Sequence, residues 1–315
     1  MKCISANDGC RAMKERHETI KNQTASPVKR IPDLIYDIGM HKGEDTAYYL
    51  KKGFRVVAFE ANPELIALGR QKFADAIKDR RLTIVEGAIT KDSLAGPTDL
   101  SVSFFKNETL SVWGTVDASF AERSEHDGFT VTRVDVPVVD LIGCIAAHGV
   151  PYFMKVDIEG MDYVCLKALS CYTVKPAYVS IESEKSSFGK LVQELQWLVG
   201  LGYTSFQAVQ QFGIPGSREP VETAEGTYAG HCFPDDASGV FGKDLRDIWL
   251  DYEGIINRYY DIFLSYRRFG DSSWIGRHAL PRNLVYAFSR LIRYPIPGWY
   301  DTHARHESVE ASRES

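Results

Sequence analysis

The sequence predicts a doubly wound, Rossmann-like α/β fold for this chain of 315 residues. From residue 34 to about residue 210, short apolar runs alternate with stretches that have a helical period. The runs are continuously apolar, which is typical of parallel strands that crossover helices bury on both faces. Apolar residues form 44% of the chain, which is enough for a substantial core.

The expected elements follow one another in a regular order. Strands are expected at residues 34–38, 55–59, 82–85, 152–156 and 177–181, and helices near residues 44–52, 63–78, 160–169 and 189–200. The second helix has the clearest period, because Leu65, Leu68 and Lys72 are separated by three and four residues. These elements define a first domain at residues 31–211, after a polar, flexible arm at residues 1–30.

The chain changes character after residue 211, where Gly, Pro and aromatic residues dominate. Loops of this length inside folded proteins are usually lids or binding loops. We therefore predict a lid over the substrate and C-terminal helices at residues 212–300, with helices at about 244–268 and 281–293. Residues 301–315 are expected to be a disordered tail.

Composition disfavours several classes of protein. The formal net charge is −5 and the basic residues form no long block, so a nucleic-acid partner is not expected. The six cysteines are irregularly spaced, which disfavours both a disulfide framework and a zinc site. The sequence shows neither an apolar run long enough to span a membrane nor the apolar core of a signal peptide. A soluble, cytoplasmic protein is therefore expected.

The turn after the first strand, DIGMHKGED, begins at Asp37 and indicates which cofactor the fold binds. A dinucleotide site would need GxGxxG, because the pyrophosphate lies against bare backbone at a helix N-terminus. Here Gly39 and Gly43 have a different spacing, and acids surround them. Glu44 and Asp45 could simply compensate the helix dipole. Together with Asp37, however, they would repel a pyrophosphate and suit S-adenosylmethionine, which carries an ammonium and a sulfonium group.

Glu60 ends the second expected strand, 21 residues after Gly39. An acid at this position can accept hydrogen bonds from the ribose hydroxyls of an adenosine. NAD sites have the same spacing, so Glu60 alone does not distinguish the two cofactors. The acids of the turn favour S-adenosylmethionine over NAD.

Four segments occur in order between about residues 33 and 210: DIGMHKGEDTAYYLKKGFRVVAFEANP, FFKNETLSVWGTVD, VPVVDL and KVDIEGMDYVCLKAL. Together they resemble the FkbM family of class I S-adenosylmethionine-dependent methyltransferases. The resemblance implies a seven-stranded sheet whose last strand is antiparallel, with the cofactor at the C-terminal edges of the strands. It also implies methyl transfer to a hydroxyl oxygen of a sugar or natural product.

The resemblance further implies a set of cofactor contacts. The methionine part would lie near Asp37, Gly39, Met40, Gly43 and Thr46, and the ribose and adenine edge near Glu60, Ala61 and Asn62. Gly87 and Ala88 would border the adenine, with Glu86 as a secondary contact. Family members often have Asn where this chain has His41, so no contact is assigned to His41.

The segment FMKVDIEG places Lys155, Asp157 and Glu159 at alternate positions, hence on one face if the strand continues. Charges at the end of a buried strand are costly unless they pair or meet a ligand. Lys155 could simply neutralise Asp157. Alternatively, Asp157 lies beside the reacting methyl as a cofactor contact and a catalytic group, with Glu159 facing the substrate. Two carboxylates could also hold a hard cation, but no third ligand is evident, so no metal is predicted.

Other candidates rest on single positions. The resemblance places Asn107, Ser111 and Trp113 over the cofactor as substrate contacts, although an ordinary edge strand would explain them equally well. Glu182 ends the fifth strand, where it either contacts the substrate or caps the next turn. His231 lies in the expected lid, where a neutral imidazole would suit a general base, although a lone loop histidine is often a bystander.

The expected function is O-methyl transfer to a small-molecule or saccharide acceptor that binds under the aromatic lid. Trp299 and His303 could belong to the substrate pocket or to a packed closing segment. A nicotinamide-dependent oxidoreductase is one alternative, since it shares the strand order and the spacing of Glu60 but needs GxGxxG. A non-catalytic protein on a methyltransferase fold is the other, and the presence of Asp37 and Asp157 argues against it.

Overall fold

The computed structural model describes residues 28–97, 99–107, 114–116, 129–158, 160–269 and 298–310. Several sequence predictions fall outside these residues: most of the N-terminal arm, the helix at 281–293, and the positions Ser111, Trp113 and Glu159. Within the described part of the chain, no helix combines the length and the hydropathy that crossing a bilayer requires.

The described strands form one sheet of seven strands and a separate two-stranded ribbon. Their bounds are β1 Arg30–Ile38, β2 Arg55–Glu60, β3 Leu82–Glu86, β4 Ser101–Asn107, β5 Val131–Pro137, β6 Val150–Val156, β7 Tyr178–Glu182, β8 Tyr203–Gln210 and β9 Tyr300–His306. The large sheet has the order β3-β2-β1-β6-β7-β9-β8, and β4 pairs with β5. Strand β9 is antiparallel to both of its neighbours, whereas the pairs from β3 to β7 are parallel. The predicted seven-stranded sheet with an antiparallel last strand is confirmed.

Helices follow most of the strands. Those in the described residues are α1 Glu44–Lys51, α2 Pro63–Lys72, α3 Ala74–Lys78, α4 Leu141–His148, α5 Asp162–Ser170, α6 Phe188–Gly200, α7 Tyr252–Phe269 and α8 Glu307–Glu310. Asn62, Asp140 and Ser187 precede α2, α4 and α6, and each side chain accepts a backbone hydrogen bond from the first turn. The predicted helix at 63–78 is divided at Phe73, and the helix predicted from about 244 begins at 252.

Hydrophobic cores lie on both faces of the sheet, as a doubly wound fold requires. Successive residues of a strand point to opposite faces. Tyr36 and Met154 therefore pack with residues of α4, α5, α6 and α7. Their neighbours Ile35 and Phe153 pack on the other face, with residues of α1 and α3.

The segment between β8 and α7, residues 211–251, also contributes to the second core. Its Phe233 and Phe241 are 2% and 1% exposed. The ring of Phe233 meets Tyr48 of α1, and the ring of Phe241 stacks on Phe153 of β6. Part of the predicted lid is therefore core. We call residues 211–251 the β8–α7 segment.

The expectation of a disordered tail from residue 301 is wrong for residues 301–310, because β9 lies between β7 and β8 and α8 follows it. The sequence YDTHARH is mostly polar, so it gave no strand signal. Most of its side chains are nevertheless buried, and Thr302, which is 1% exposed, forms hydrogen bonds with Ser183 and Tyr259. Since the sheet takes its last strand from here, the predicted domain boundary at residue 211 does not separate two folding units.

Candidate active site

A cavity of about 460 Å³ opens at the carboxyl edge of the parallel strands. Ligands of open α/β sheets bind at this edge where the strand order reverses, and here the reversal falls between β1 and β6. The ends of the strands bring one group each to the wall: Gly39 after β1, Glu60 in β2, Gly87 after β3, Asp157 after β6 and Glu182 in β7. The cavity thus lies where the resemblance places the cofactor.

The turn between β1 and α1 requires glycine at Gly39. Its φ is 90°, and a Cβ there would lie 2.0 Å from the carbonyl oxygen of Asp157. Both the backbone conformation and this contact exclude a side chain. The backbone N–H groups of Gly39 and Met40 donate to the carbonyl oxygen of Phe59, at 3.1 and 2.9 Å. The turn is therefore fixed as bare backbone between the ends of β2 and β6.

Glu60 presents an oriented carboxylate to the cavity. Its Oε1 accepts hydrogen bonds from the backbone N–H groups of Ala61 and Asn62, at 3.0 and 2.8 Å, and Oε2 accepts one from His41 at 2.8 Å. A carboxylate has about four lone-pair positions, so a further donor can bind from the cavity. Burial raises the pKa of Glu60, and the three N–H groups act against that rise.

Four of the predicted cofactor contacts lie behind the wall: Asp37, Gly43, Thr46 and Asn62 are not among the described residues that line the cavity. Asp37 is fully buried and accepts a hydrogen bond of 2.5 Å from Thr46 Oγ1. Burial raises the pKa of Asp37 to about 7. These residues support the wall. The predicted cofactor contacts on the wall itself are Gly39, Met40, Glu60, Ala61, Gly87, Ala88 and Asp157.

Lys155 and three carboxylates form a charge cluster at the end of β6. Lys155 Nζ lies 3.1 Å from Asp45 Oδ2, 3.4 Å from Asp157 Oδ2 and 3.9 Å from Asp37 Oδ1. Burial acts to lower the pKa of Lys155, but the carboxylates outweigh it and hold that pKa well above its usual value. The ammonium is therefore charged at neutral pH. Lys155 does pair with Asp157, yet 45% of the Asp157 side chain stays exposed.

The wall formed by β6, β7 and β9 carries a row of three carboxyl groups. Glu182 of β7 is paired with Asp301 of β9. On the other side of β7, Ile181 is paired with Val156, so the next residues along the two strands, Glu182 and Asp157, also lie side by side. Directly opposite residues point to the same face of a sheet. All three acids line the cavity. Burial and the charge of Asp157 raise the pKa of Glu182.

The β8–α7 segment forms one side of the cavity, through Pro215, Asp236, Ala237 and Ser238. The N–H of Ser238 donates to both carboxylate oxygens of Asp45, at 3.0 and 3.2 Å. At the other end of α1, the buried ammonium of Lys52 lies 3.0 Å from Asp244 and 3.3 Å from Glu219 of this segment. The segment is thus held at both ends of α1.

His231, the predicted general base, is not among the described residues that line the cavity. It is 7% exposed, and its ring packs against Tyr48 and Phe233 with centroid distances of 4.9 and 5.0 Å. Burial lowers the pKa of His231. The structure therefore does not bring His231 together with Asp157, the other predicted catalytic residue.

His303 and Trp299 have different surroundings. His303 is 2% exposed, its Nε2 lies 3.3 Å from Ser180 Oγ, and burial lowers its pKa to about 4. It belongs to the packed interior of the sheet. Trp299 lines the cavity and is 50% exposed.

Asn107 ends β4, is 4% exposed and is not among the described residues of the cavity wall. The ribbon and the residues beside it contribute Phe104 and Thr115 instead. Sequence reasoning also missed Asp45 and Asp301 as wall residues. Asp45 had a signal, its place in the first turn of the helix after the glycine turn, and its charge was used to choose the cofactor, but no contact was assigned to it. Asp301 had none, because β9 lacks an apolar pattern.

Three described side chains are arranged so that they could hold a metal ion. One ligand atom each of His41, Glu44 and Asp236 lies within 4.8 Å of the others. His41 Nδ1 is 3.3 Å from Glu44 Oε2, and Asp236 is exposed. This group differs from the pair of Asp157 and Glu159 that the sequence suggested, and exposed acidic groups are common without an ion.

A sequence model of the methyltransferase FkbM domain matches residues 37–205. No curated protein matches the chain at a significant level. Among solved structures, the chain is similar to a precorrin-6y C5,15-methyltransferase from Geobacter metallireducens, at 13% identity over 67% of this chain and 83% of that chain, with a TM-score of 0.29. It is also similar to a precorrin 8w decarboxylase from Methanobacterium thermoautotrophicum, at 14% identity over 67% and 79%, with a TM-score of 0.31.

Proposed function

Because this chain belongs to the FkbM methyltransferase family, we propose that it transfers a methyl group from S-adenosylmethionine to a hydroxyl oxygen of a sugar or natural product. The charge of the cavity is the observation that carries the cofactor assignment. The described wall includes the acids Glu44, Asp45, Glu60, Asp157, Glu182, Asp236 and Asp301, and the lysines Lys155 and Lys185. A wall with this excess of acids favours a cofactor with positive groups and disfavours a pyrophosphate.

The residues present fit S-adenosylmethionine. Glu60 has a lone-pair position left for a ribose hydroxyl, and Gly39 leaves bare backbone beside Asp157. In this proposal Gly39 and Met40 hold the methionine part, Glu60 and Ala61 the ribose, and Gly87 and Ala88 the adenine. Asp45 and Asp157 would stabilise its positive charges. When bound, the cofactor supplies a methyl group on a positively charged sulfur.

Asp157 is the group best placed to act on the methyl acceptor. Its side chain is 45% exposed at the cavity, and Lys155 holds one carboxylate oxygen at 3.4 Å. A carboxylate there can accept a hydrogen bond from the acceptor hydroxyl and orient the oxygen. It can also take the hydroxyl proton as the new C–O bond forms and the C–S bond breaks. Holding the oxygen in line with the methyl carbon supplies much of the rate.

Calorimetry with S-adenosylhomocysteine and with NAD tests the cofactor. We expect the former to bind and to raise the melting temperature by mass action, and NAD to do neither. Binding of NAD in place of S-adenosylhomocysteine would favour the oxidoreductase alternative.

Release of S-adenosylhomocysteine across a panel of sugars and natural products tests the reaction. We expect turnover with acceptors that carry a free hydroxyl, and none when that hydroxyl is blocked. Cofactor binding without turnover on any acceptor of the panel would favour the non-catalytic alternative.

A further inference from the structure

One buried acid at the cavity has no partner within the described fold. Asp301 is 8% exposed and lines the cavity. Its carboxyl group forms no hydrogen bond and no ion pair with any residue that the structure describes. The charged groups that act on it are Asp157, Lys155, Glu182 and Asp45, so three of the four are acids. A buried polar group without a partner is costly, which indicates that a ligand supplies the partner.

Both lysines of the described cavity wall already form ion pairs with other carboxylates. Lys155 Nζ lies within 3.9 Å of three other carboxylates. Lys185 Nζ pairs with Glu182 Oε1 at 3.2 Å, and 61% of the Lys185 side chain is exposed. The row of Asp157, Glu182 and Asp301 therefore lacks a cation of its own at Asp301.

A metal ion does not match this row. A shared ion requires ligand atoms that lie close together. Among the described residues, only one group of three side chains meets this condition, namely His41, Glu44 and Asp236. The ligand atoms of Asp157, Glu182 and Asp301 do not meet it. The wider spacing of the row suits a larger, organic cation.

Trp299 adds an aromatic surface two residues before Asp301. It lines the same cavity and is 50% exposed. The face of an indole ring attracts an ammonium group. A neutral hydroxyl could also donate to a carboxylate, but it brings no positive charge to a row of three neighbouring acids. A cavity lined by both an indole and a row of carboxyl groups is therefore better matched to an amine.

We propose that the methyl acceptor carries an ammonium group, which binds against Asp301 and Glu182 with Trp299 beside it. The inference rests on the proposed function and specifies its substrate class: an amine-bearing sugar or natural product, and not a neutral or anionic one.

Binding of an ammonium should release a proton. Burial and the charge of Asp157 raise the pKa of Asp301 well above its usual value, with a further contribution from Glu182. The raised pKa favours the protonated carboxyl group when no ligand is bound. A bound ammonium favours the carboxylate, so the proton leaves, whereas a neutral ligand gives no such release.

D-Glucosamine and D-glucose are matched probes, because they differ by an amine in place of one hydroxyl. Each is titrated into the complex with S-adenosylhomocysteine, in two buffers of different ionisation enthalpy. We expect glucosamine to bind at least about tenfold more tightly than glucose, with proton release. Asp301→Asn should abolish both the preference and the proton release without changing the affinity for S-adenosylhomocysteine. Glu253→Gln, which changes an exposed acid of α7, should keep both.

Equal binding of the two sugars overturns the inference, as does the absence of glucosamine binding at millimolar concentrations or a preference that survives in Asp301→Asn. If Asp301→Asn does not fold, Glu182→Gln carries the same test in the same row. Failure of the proposed function gives a different result, because S-adenosylhomocysteine would then not bind. Failure of the inference alone leaves cofactor binding and methylation of neutral acceptors intact.

Discussion

The β1–β3 half of the cavity takes its central acid from a single β-α-β unit, whereas the β6–β9 half takes its three acids from three separate strands. The carboxylate of Glu60 is oriented by the backbone N–H groups of Ala61 and Asn62, the next two residues, and of His41 in the turn. Asp157, Glu182 and Asp301 meet only because β7 pairs with β6 and β9. We propose that the first half holds the cofactor and the second the methyl acceptor. Variants should therefore separate cofactor binding from turnover.

The largest effect is expected for Asp157→Asn in the second half. The amide is nearly isosteric but cannot take the hydroxyl proton, so kcat should fall by roughly 10² to 10⁴-fold while the affinity for S-adenosylhomocysteine falls modestly. Steady-state kinetics and calorimetry measure the two quantities. Asp251→Asn, at an exposed position, is the matched control and should keep both. Normal turnover in Asp157→Asn would place the reacting centre elsewhere.

His231→Phe provides a companion test of the two predicted catalytic residues. Phenylalanine fits among Tyr48 and Phe233, and the ring lies away from the described cavity wall, so turnover should stay close to that of the parent. A large loss of kcat at an unchanged melting temperature, with activity kept in Asp157→Asn, would restore His231 as the general base.

Lys52→Met should weaken the attachment of the β8–α7 segment. The change leaves Glu219 and Asp244 without their shared buried cation, and breaking such a pair costs about 3 to 5 kcal/mol of unfolding free energy. Urea unfolding measures that loss, and hydrogen exchange should become faster in the segment while S-adenosylhomocysteine still binds. Lys51→Met, at an exposed neighbour, should change neither. Unchanged exchange in the segment would mean that Lys52 does not hold it.

Glu60→Ala tests the first half. Loss of charge-assisted hydrogen bonds to the ribose should weaken binding of S-adenosylhomocysteine by about 1.5 to 3 kcal/mol. Calorimetry gives the affinity directly. Glu86→Ala is the control, since Glu86 is an exposed partner of Arg70 and is not among the described wall residues. An unaltered affinity in Glu60→Ala would remove the ribose assignment.

The smallest effect is expected on the stability of Asp301→Asn. A carboxyl group whose pKa is raised by folding contributes stability below its unfolded pKa, and this contribution is lost as the pH rises towards the folded value. Asparagine cannot ionise, so the variant should lose less stability than the parent between about pH 5 and pH 8. Urea unfolding at both pH values measures the difference. An identical pH dependence in both proteins would mean that folding does not shift the pKa of Asp301.

The first half could be predicted from the sequence because its signals are local. An apolar run, Gly39 in a turn and Glu60 at the next strand end lie within one short stretch. Strand β9 could not be predicted, because hydropathy reports burial among apolar groups. Thr302 is instead buried against hydroxyl groups, and Arg305 lies over the ring of Trp249. These partners are distant in the chain, so no local sequence pattern indicates them.

The second half depends on register as well as on strand identity. Asp301 reaches the wall because it is paired with Glu182, and a shift of one residue would turn its side chain to the other face. Residues 183–299 separate the two strands in sequence. Even if a sequence pattern identified β9 as a strand, it would therefore not determine which strand pairs with it or in which register. The charge cluster around Lys155 has the same origin, since Asp37 lies in β1, Asp45 in α1 and Asp157 directly after β6.

The position of β9 also governs the order in which the protein can assemble during synthesis. Strands β7 and β8 both pair with β9, yet β9 follows β8 only after residues 211–299 have been added. Closing so long a loop is entropically costly and slows the pairing. Until β9 arrives, β7 and β8 present unpaired edges to other nascent chains, and exposed edges promote aggregation. On the ribosome, the first half of the cavity can form before β9 has been synthesised, whereas the second half is complete only after residue 306 has been added.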